Sequence, residues 1–220
     1  MQIQYYGDYC FKITTKPAGR ATEDVVLWTD PCGKEVGLRA PFGQADVLML
    51  SHTHRDDDNV SGLLKGEPAL LDAPGEYAAH GVTALGFPSF RDAEGGAVRG
   101  QNVVYAFESE GINGCFLGAI GHAVSADLLE KVNGVDILFL PIGGKDTLTP
   151  KEADDAIRKI EPKIVIPMHY LMPGMTGDLA SEKAFCAEFD NCSTDRVAKL
   201  NIKKKDIEGK NMEVIFLERG

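Results

Sequence analysis

Several features that would fix the class of this chain at once are missing. Its five cysteines (Cys10, Cys32, Cys115, Cys186 and Cys192) contain no CxxC pair, so neither a zinc ribbon nor a dithiol redox motif is present. They are odd in number and scattered, which fits free thiols in a reducing cytoplasm, each acting as a small buried hydrophobe. No apolar run approaches the roughly 18 residues of a membrane-spanning helix. The opening Met1-Gln-Ile-Gln-Tyr-Tyr-Gly-Asp8 has no basic and no apolar stretch, so no secretory leader is expected. Positive charge is in deficit: 23 Lys+Arg stand against 33 Asp+Glu, a net charge of −10. That balance argues against nucleic acid and anionic membranes as partners, which want a basic face. It leaves room for a small anion held by a local cluster.

What remains is the composition of an ordinary globular domain. The 220 residues, 44% hydrophobic and 25% charged, suit one domain spanning 1–220. At this length a compact chain buries roughly 70% of its unfolded surface and needs no staples.

The first half reads as strands and turns. Cys10–Thr14, Val25–Thr29 and the run 45–50 are short apolar segments, the second stopped by Asp30-Pro31 and the third by Ser51-His52-Thr53-His54. Val103–Phe107 and the run 115–117 flank Glu110-Gly111, a hairpin signal. The second half alternates strand and helix. Ser125 caps a helix running to Val132 and closed by Asn133-Gly134, and the run 135–140 is a buried strand. Thr149-Pro150-Lys151-Glu152 combines a capping box with proline at the first helical position. That helix must end before Pro162, and the strand 163–168 then delivers His169 at its tip. A last helix over 181–189 and a last strand over 212–217 complete an α/β layered chain.

The chemistry is concentrated in Ser51-His52-Thr53-His54-Arg55-Asp56-Asp57-Asp58. Two imidazoles two residues apart, just past an apolar strand, can converge on one metal ion, and a carboxylate two residues later can reach a neighbouring ion. The same stretch taken alone would also suit a solvated acidic loop. Its context is more specific. Asp30-Pro31, Ala45-Asp46, His52-Thr53-His54-Arg55-Asp56, Pro74-Gly75-Glu76-Tyr77, Gly100-Gln101-Asn102, Leu117-Gly118, Gly121-His122, Pro141-Ile142-Gly143-Gly144 and Pro167-Met168-His169-Tyr170 follow one another in a familiar order. Over about residues 1–172 the chain resembles the metallo-β-lactamase superfamily, in its short lactonase-like Zn-dependent hydrolase branch. The resemblance implies a four-layer αββα sandwich with two divalent ions, zinc or manganese, at the sheet edges. A bridging hydroxide there attacks an ester, amide, lactone or phosphodiester.

Carried over residue by residue, the resemblance places His52 and His54 on the first ion. Asp56 falls on the carboxylate that binds the second ion and orients the nucleophilic water, and His169 on the last histidine of that second site. Three ligand positions are substituted. Asp57 stands for a histidine, with a shorter side chain that could still offer oxygen to the second ion. Arg91 stands for another histidine in Pro88-Ser89-Phe90-Arg91-Asp92, and Ala119 for the bridging aspartate in Leu117-Gly118-Ala119. Asp8 replaces a histidine common near the site mouth. Arginine is worse than a missing ligand, since it keeps its proton. A guanidinium about 5 Å from a divalent ion opposes it by about 7 kcal/mol at an effective dielectric near 20. His122 is expected at the site edge as a hydrogen-bonded residue, not a ligand.

Two functions follow, with a remote third. The leading expectation is a hydrolase fold with an eroded centre, weak or inactive, acting as a binding or regulatory module. The alternative is a working zinc- or manganese-dependent hydrolase with a site rebuilt from some of His52, His54, Asp56, Asp57 and His169. The third is metal-free acid–base chemistry by Asp56 and His169. A small-molecule ligand is expected, with neither nucleic acid nor membrane as partner. Branch members often form oligomers, so a homo-oligomer stays open.

Overall fold

The computed structural model of the protein describes residues 1–16, 23–32, 36–52, 64–190 and 192–220. Two β-sheets form its frame. The first, six-stranded, contains β1 (Gln2–Gly7), β2 (Cys10–Thr15), β3 (Val25–Thr29), β5 (Val47–Met49), β7 (Ala69–Leu71) and β15 (Leu200–Asn201), in the order β15-β1-β2-β3-β5-β7. The second, seven-stranded, contains β8 (Gly75–Ala79), β9 (Val82–Phe90), β10 (Gln101–Ser109), β11 (Ile112–Phe116), β12 (Ile137–Pro141), β13 (Ile164–Met168) and β16 (Glu213–Val214), in the order β16-β13-β12-β11-β10-β9-β8. Two small ribbons pair β4 (Gly43–Gln44) with β6 (Leu64–Lys65) and β14 (Arg196–Val197) with β17 (Phe216–Leu217).

Sequence patterns explain where each strand sits. β1 alternates half-buried and buried positions, as a strand with one face on a core must. β12 and β13 are buried at every position, which suits central parallel strands covered on both faces. The strands β11, β12 and β13 run parallel and are joined by α1 (Ala126–Lys131) and α2 (Pro150–Ile160). The capping box at Thr149 and Glu152 forms as its sequence predicts, and Ala153, Ala156, Ile157 and Ile160 face the core. Glu110-Gly111 makes the β10–β11 turn with positive φ at both residues, the geometry a two-residue hairpin demands.

Two expectations need correction. The last strand is two short strands, β16 and β17, in different sheets. The chain changes sheet at Ile215, which alternating apolar letters alone do not reveal. The cysteines are not all free thiols either. Cys186 and Cys192 form a disulfide across the end of α3 (Glu182–Glu188), with their Cα atoms 5.1 Å apart. Cys186 lies in the last turn of α3, and the exit of the chain from that turn brings Cys192 back beside it. Cys10, Cys32 and Cys115 remain free and buried.

One buried charge ties the C-terminal segment to the second sheet. Asp136 is 1% exposed and accepts from the Asn113 N–H at 2.9 Å, Lys163 Nζ at 3.0 Å and Lys204 Nζ at 2.6 Å. Burial pushes its carboxyl up, but these three donors outweigh it and hold it below the usual range. A lowered carboxyl stabilises the fold above its unfolded pKa, and that stability is lost as pH falls through the folded one. Asp136→Ala should therefore cost about 2 kcal/mol at pH 7, reduced from a fully buried pair because both lysines are partly exposed. The loss should shrink as denaturation is measured toward acid pH.

Candidate active-site cleft

The strand tips at one edge of the sandwich carry the residues the sequence singles out. His52 lies just past β5, Ala119 past β11, Arg91 past β9 and His169 past β13. His54, Asp56, Asp57 and Asp58 lie outside the described residues.

His52 is set by two residues before it in space. The Asp30 carboxylate, at the end of β3, accepts the Ser51 N–H at 2.7 Å and also the Ser51 hydroxyl. Ser51 Oγ lies 2.9 Å from His52 Nδ1, and Asp30 Oδ2 lies 3.6 Å from the same nitrogen. With the hydroxyl proton given to Asp30, Ser51 Oγ accepts from Nδ1–H, an assignment made from the partners.

His169 has a carboxylate of its own. Asp8, in the β1–β2 turn, places Oδ1 2.5 Å from His169 Nδ1. The backbone repeats the link, since the His169 N–H donates to the Asp8 carbonyl at 2.8 Å. That carbonyl also accepts from the Tyr5 hydroxyl at 2.9 Å. Asp8, Asp30 and His169 all adopt positive φ (55°, 28° and 48°), a conformation non-glycine residues rarely hold unless surroundings impose it. Among the described residues, His80, Glu110, Lys145, Glu161 and Met212 share this conformation away from the cleft.

Tyr9 joins the two imidazoles. Its ring stacks on His169 at 4.3 Å and meets His52 edge-on at 5.4 Å. The imidazole centroids are thus no farther apart than those two distances together, inside the ~12 Å that convergence on adjacent ions would require. Burial raises the Tyr9 phenol well above its ordinary range and Asp8 pushes the same way, whereas the nearby Arg91 charge pulls it down.

The other sheet closes the cleft. Asn102, 1% exposed, donates to the Leu117 carbonyl at 2.9 Å and accepts the Ala119 N–H at 2.8 Å. This fixes the corner at Gly118, where an added Cβ would lie 2.3 Å from the Ser51 Cβ, so only glycine fits. Ala119 itself is buried and brings no donor. Arg91 is held through its backbone: its N–H donates to the Gly100 carbonyl at 3.1 Å, and a Cβ on Gly121 would sit 2.2 Å from its carbonyl oxygen. The loop beyond is organised by Asp92, whose carboxylate accepts four N–H groups from Glu94, Gly96, Val98 and Arg99. His122 Nδ1 lies 2.9 Å from the Ala123 carbonyl, and Nε2 lies 3.0 Å from Ser89 Oγ and 3.3 Å from the Phe90 nitrogen. Both ring nitrogens are thereby engaged.

The roles of Tyr9 and Ser51 are invisible in the linear sequence, though both adjoin flagged residues. Among the described residues no three histidine, cysteine or acidic side chains gather around a common point.

Residues 2–169 match the family described as beta-lactamase superfamily domain. The chain belongs to that superfamily. Metal-dependent hydrolases of the UPF0173 group resemble it, one from Listeria welshimeri at 27% identity over 77% of this chain and 85% of its own length. Another, from Anoxybacillus flavithermus, is 29% identical over 77% and 86%. Among solved structures, a candidate Zn-dependent hydrolase of the metallo-β-lactamase superfamily from Thermotoga maritima aligns with a TM-score of 0.77 and 30% identity, covering 99% of this chain and 98% of its own. A metallo hydrolase from Ignicoccus hospitalis, 16% identical with a TM-score of 0.64 over 100% and 95% of the two chains, shares the fold. The superfamily fold explains why the strand tips meet at a single edge. No helix among the described residues is long and apolar enough to cross a membrane.

Proposed function

We propose that this superfamily member carries a degraded two-ion centre, hydrolyses feebly or not at all, and acts as a binding or regulatory module for a small ligand. The observation that carries this reading is Arg91. It stands where the resemblance puts a histidine, just past the tip of β9, with its backbone N–H held by the Gly100 carbonyl. A fixed cation there opposes a divalent ion, and Ala119 supplies no bridge between two. The described residues therefore do not fit a pair of zinc or manganese ions.

A second reading has its own support. The Nδ1 atoms of His52 and His169 are both engaged by a neighbouring side chain, and a carboxylate stands behind each. An ion would have to take Nε2, and an outer carboxylate behind a histidine is the usual support for a ligand. One ion held by some of His52, His54, Asp56, Asp57 and His169, with Asp56 orienting water, would make a working mononuclear hydrolase.

Elemental analysis separates the two. Protein purified without chelators, then dialysed after zinc or manganese addition, should hold well under one ion per chain. Turnover of aryl esters, lactones and bis-aryl phosphodiesters should stay near background. A full equivalent of zinc together with turnover abolished by Asp56→Ala would establish the second reading instead.

A further inference from the structure

We infer that the outer face of the second sheet carries a binding site separate from the cleft, for a small apolar molecule that bears an ammonium group and anchors it on the Glu76 carboxylate. The site shares no residue with the cleft and does not depend on whether a metal binds there.

A groove of about 710 Å³ opens between strands β8–β11 and the end of α1. That volume falls within the roughly 300–1,000 Å³ usual for small-molecule sites. Its floor follows from the strand register. Glu76 on β8 is paired with Leu85 on β9, and Leu85 with Ala106 on β10. Cross-strand partners share a face, so these three side chains form one line across the sheet. Leu85 is 43% exposed, which makes this the outer face. With neighbouring strands about 4.8 Å apart, the line from Glu76 to Ala106 spans about 10 Å. Val132 and Val135, just past α1, add an apolar wall.

The charges of the groove select a cation. Glu76 is exposed, and its carboxylate makes no hydrogen bond or ion pair with any described residue. Glu108, the next outward-facing side chain after Ala106 on β10, commits one oxygen to the Gly111 N–H at 2.7 Å. Both carboxylates line the groove. Lys131 lines it too, but its ammonium is already engaged, 3.4 Å from Asp127 and 5.5 Å from the centre of the Phe87 ring. An anion would therefore face two carboxylates. An ammonium at Glu76 gains one of them directly and the other at longer range. A neutral molecule of the same shape would cover Leu85 and Ala106 but gain nothing from either carboxylate. The ligand that matches the whole groove has an apolar body and one cationic end.

The test is an amide-NMR titration of the full chain with 4-phenylbutylamine, whose extended length matches that line. Its controls are 4-phenylbutyrate and 4-phenylbutanol, anionic and neutral molecules of the same shape. The amine should bind in the millimolar range and shift the amides around Glu76, Leu85 and Ala106, leaving those of His52 and His169 unmoved. The alcohol should bind more weakly and the acid not measurably. Glu76→Gln should bring the amine down to the level of the alcohol, a loss of about two- to fivefold for an exposed charge pair. Glu108→Gln should cost less, and Leu85→Ser should weaken amine and alcohol alike. Salt at about 0.5 M should remove most of the difference between amine and alcohol. All three substituted positions are exposed, so the variants should keep the parent Tm. Equal affinity for the three probes, amine binding unchanged in Glu76→Gln, shifts gathered at the strand tips instead, or no shifts at all would each overturn the inference.

Discussion

Converting Asp57→His, Arg91→His and Ala119→Asp in one chain should raise zinc content from well under one to about two ions per chain, the number such a site holds. Each substitution alone should do little. Asp57→His leaves Arg91 facing the ions and no bridge between them. Arg91→His removes the opposing charge, worth about 7 kcal/mol at about 5 Å and an effective dielectric near 20, yet still leaves a donor missing at position 119. Ala119→Asp adds a buried carboxylate, which costs several kcal/mol unless an ion neutralises it. The Ala119 backbone is already held by Asn102, and its corner already packs on Ser51, so the new carboxylate would project from a rigid position. Aryl-ester or phosphodiester turnover should rise by about 100-fold or more if both ions act, equivalent to about 2.7 kcal/mol of barrier. Chain-by-chain metal content and turnover across the seven combinations would show the cooperativity directly. Additive gains from the single changes would mean that the native centre was not short of ligands.

The frame was open to reading because its signals are local. The capping box at Thr149, the Glu110-Gly111 turn and the apolar run ending at His169 each need only a few neighbouring residues to be recognised, and each forms. The cleft is different. Asp30 meets Ser51 across 21 residues and Asp8 meets His169 across 161, so no window along the chain shows either pair. The ordered motifs located the strand tips but not the hydrogen bonds between them. The same applies to Tyr9, whose ring sits between two histidines that are distant in sequence. The Cys186–Cys192 bond was hidden for another reason: five residues lie between the two, and whether their Cβ atoms face each other depends on how α3 ends. Positive φ at Asp8, Asp30 and His169 is equally silent in sequence, because glycine, the residue that would announce it, is absent from all three positions.

Asp30 is where fold and cleft depend on the same side chain, and Asp30→Ala should be the most damaging single change at this edge. The residue is 1% exposed, and its carboxylate accepts both the backbone and the hydroxyl of Ser51. Alanine would leave the buried Ser51 N–H without an acceptor, costing about 1–3 kcal/mol, and would exchange the hydroxyl's charge-assisted bond for a neutral one, costing about 1 kcal/mol more. Asp30 also holds φ at 28°, which aspartate tolerates better than alanine, so backbone strain adds to the loss. A total near 4 kcal/mol corresponds to a fall in Tm of roughly 10 °C in a chain of this size. Ser51→Ala removes only the hydroxyl and keeps the N–H bond, so about 1 kcal/mol should suffice for it. The cleft supplies a second readout that general destabilisation would not move. With Asp30 in place, the Ser51 hydroxyl is committed to the carboxylate and keeps the His52 proton on Nδ1. Without it, the hydroxyl can turn and donate to Nδ1, which moves the proton to Nε2. Imidazole nitrogen NMR on Asp30→Ala below its melting range should show that tautomer change at His52 and none at His169, whose Nδ1 partner is Asp8. An unchanged His52 tautomer, or a Tm within about 2 °C of the parent, would mean that Asp30 does not organise this edge.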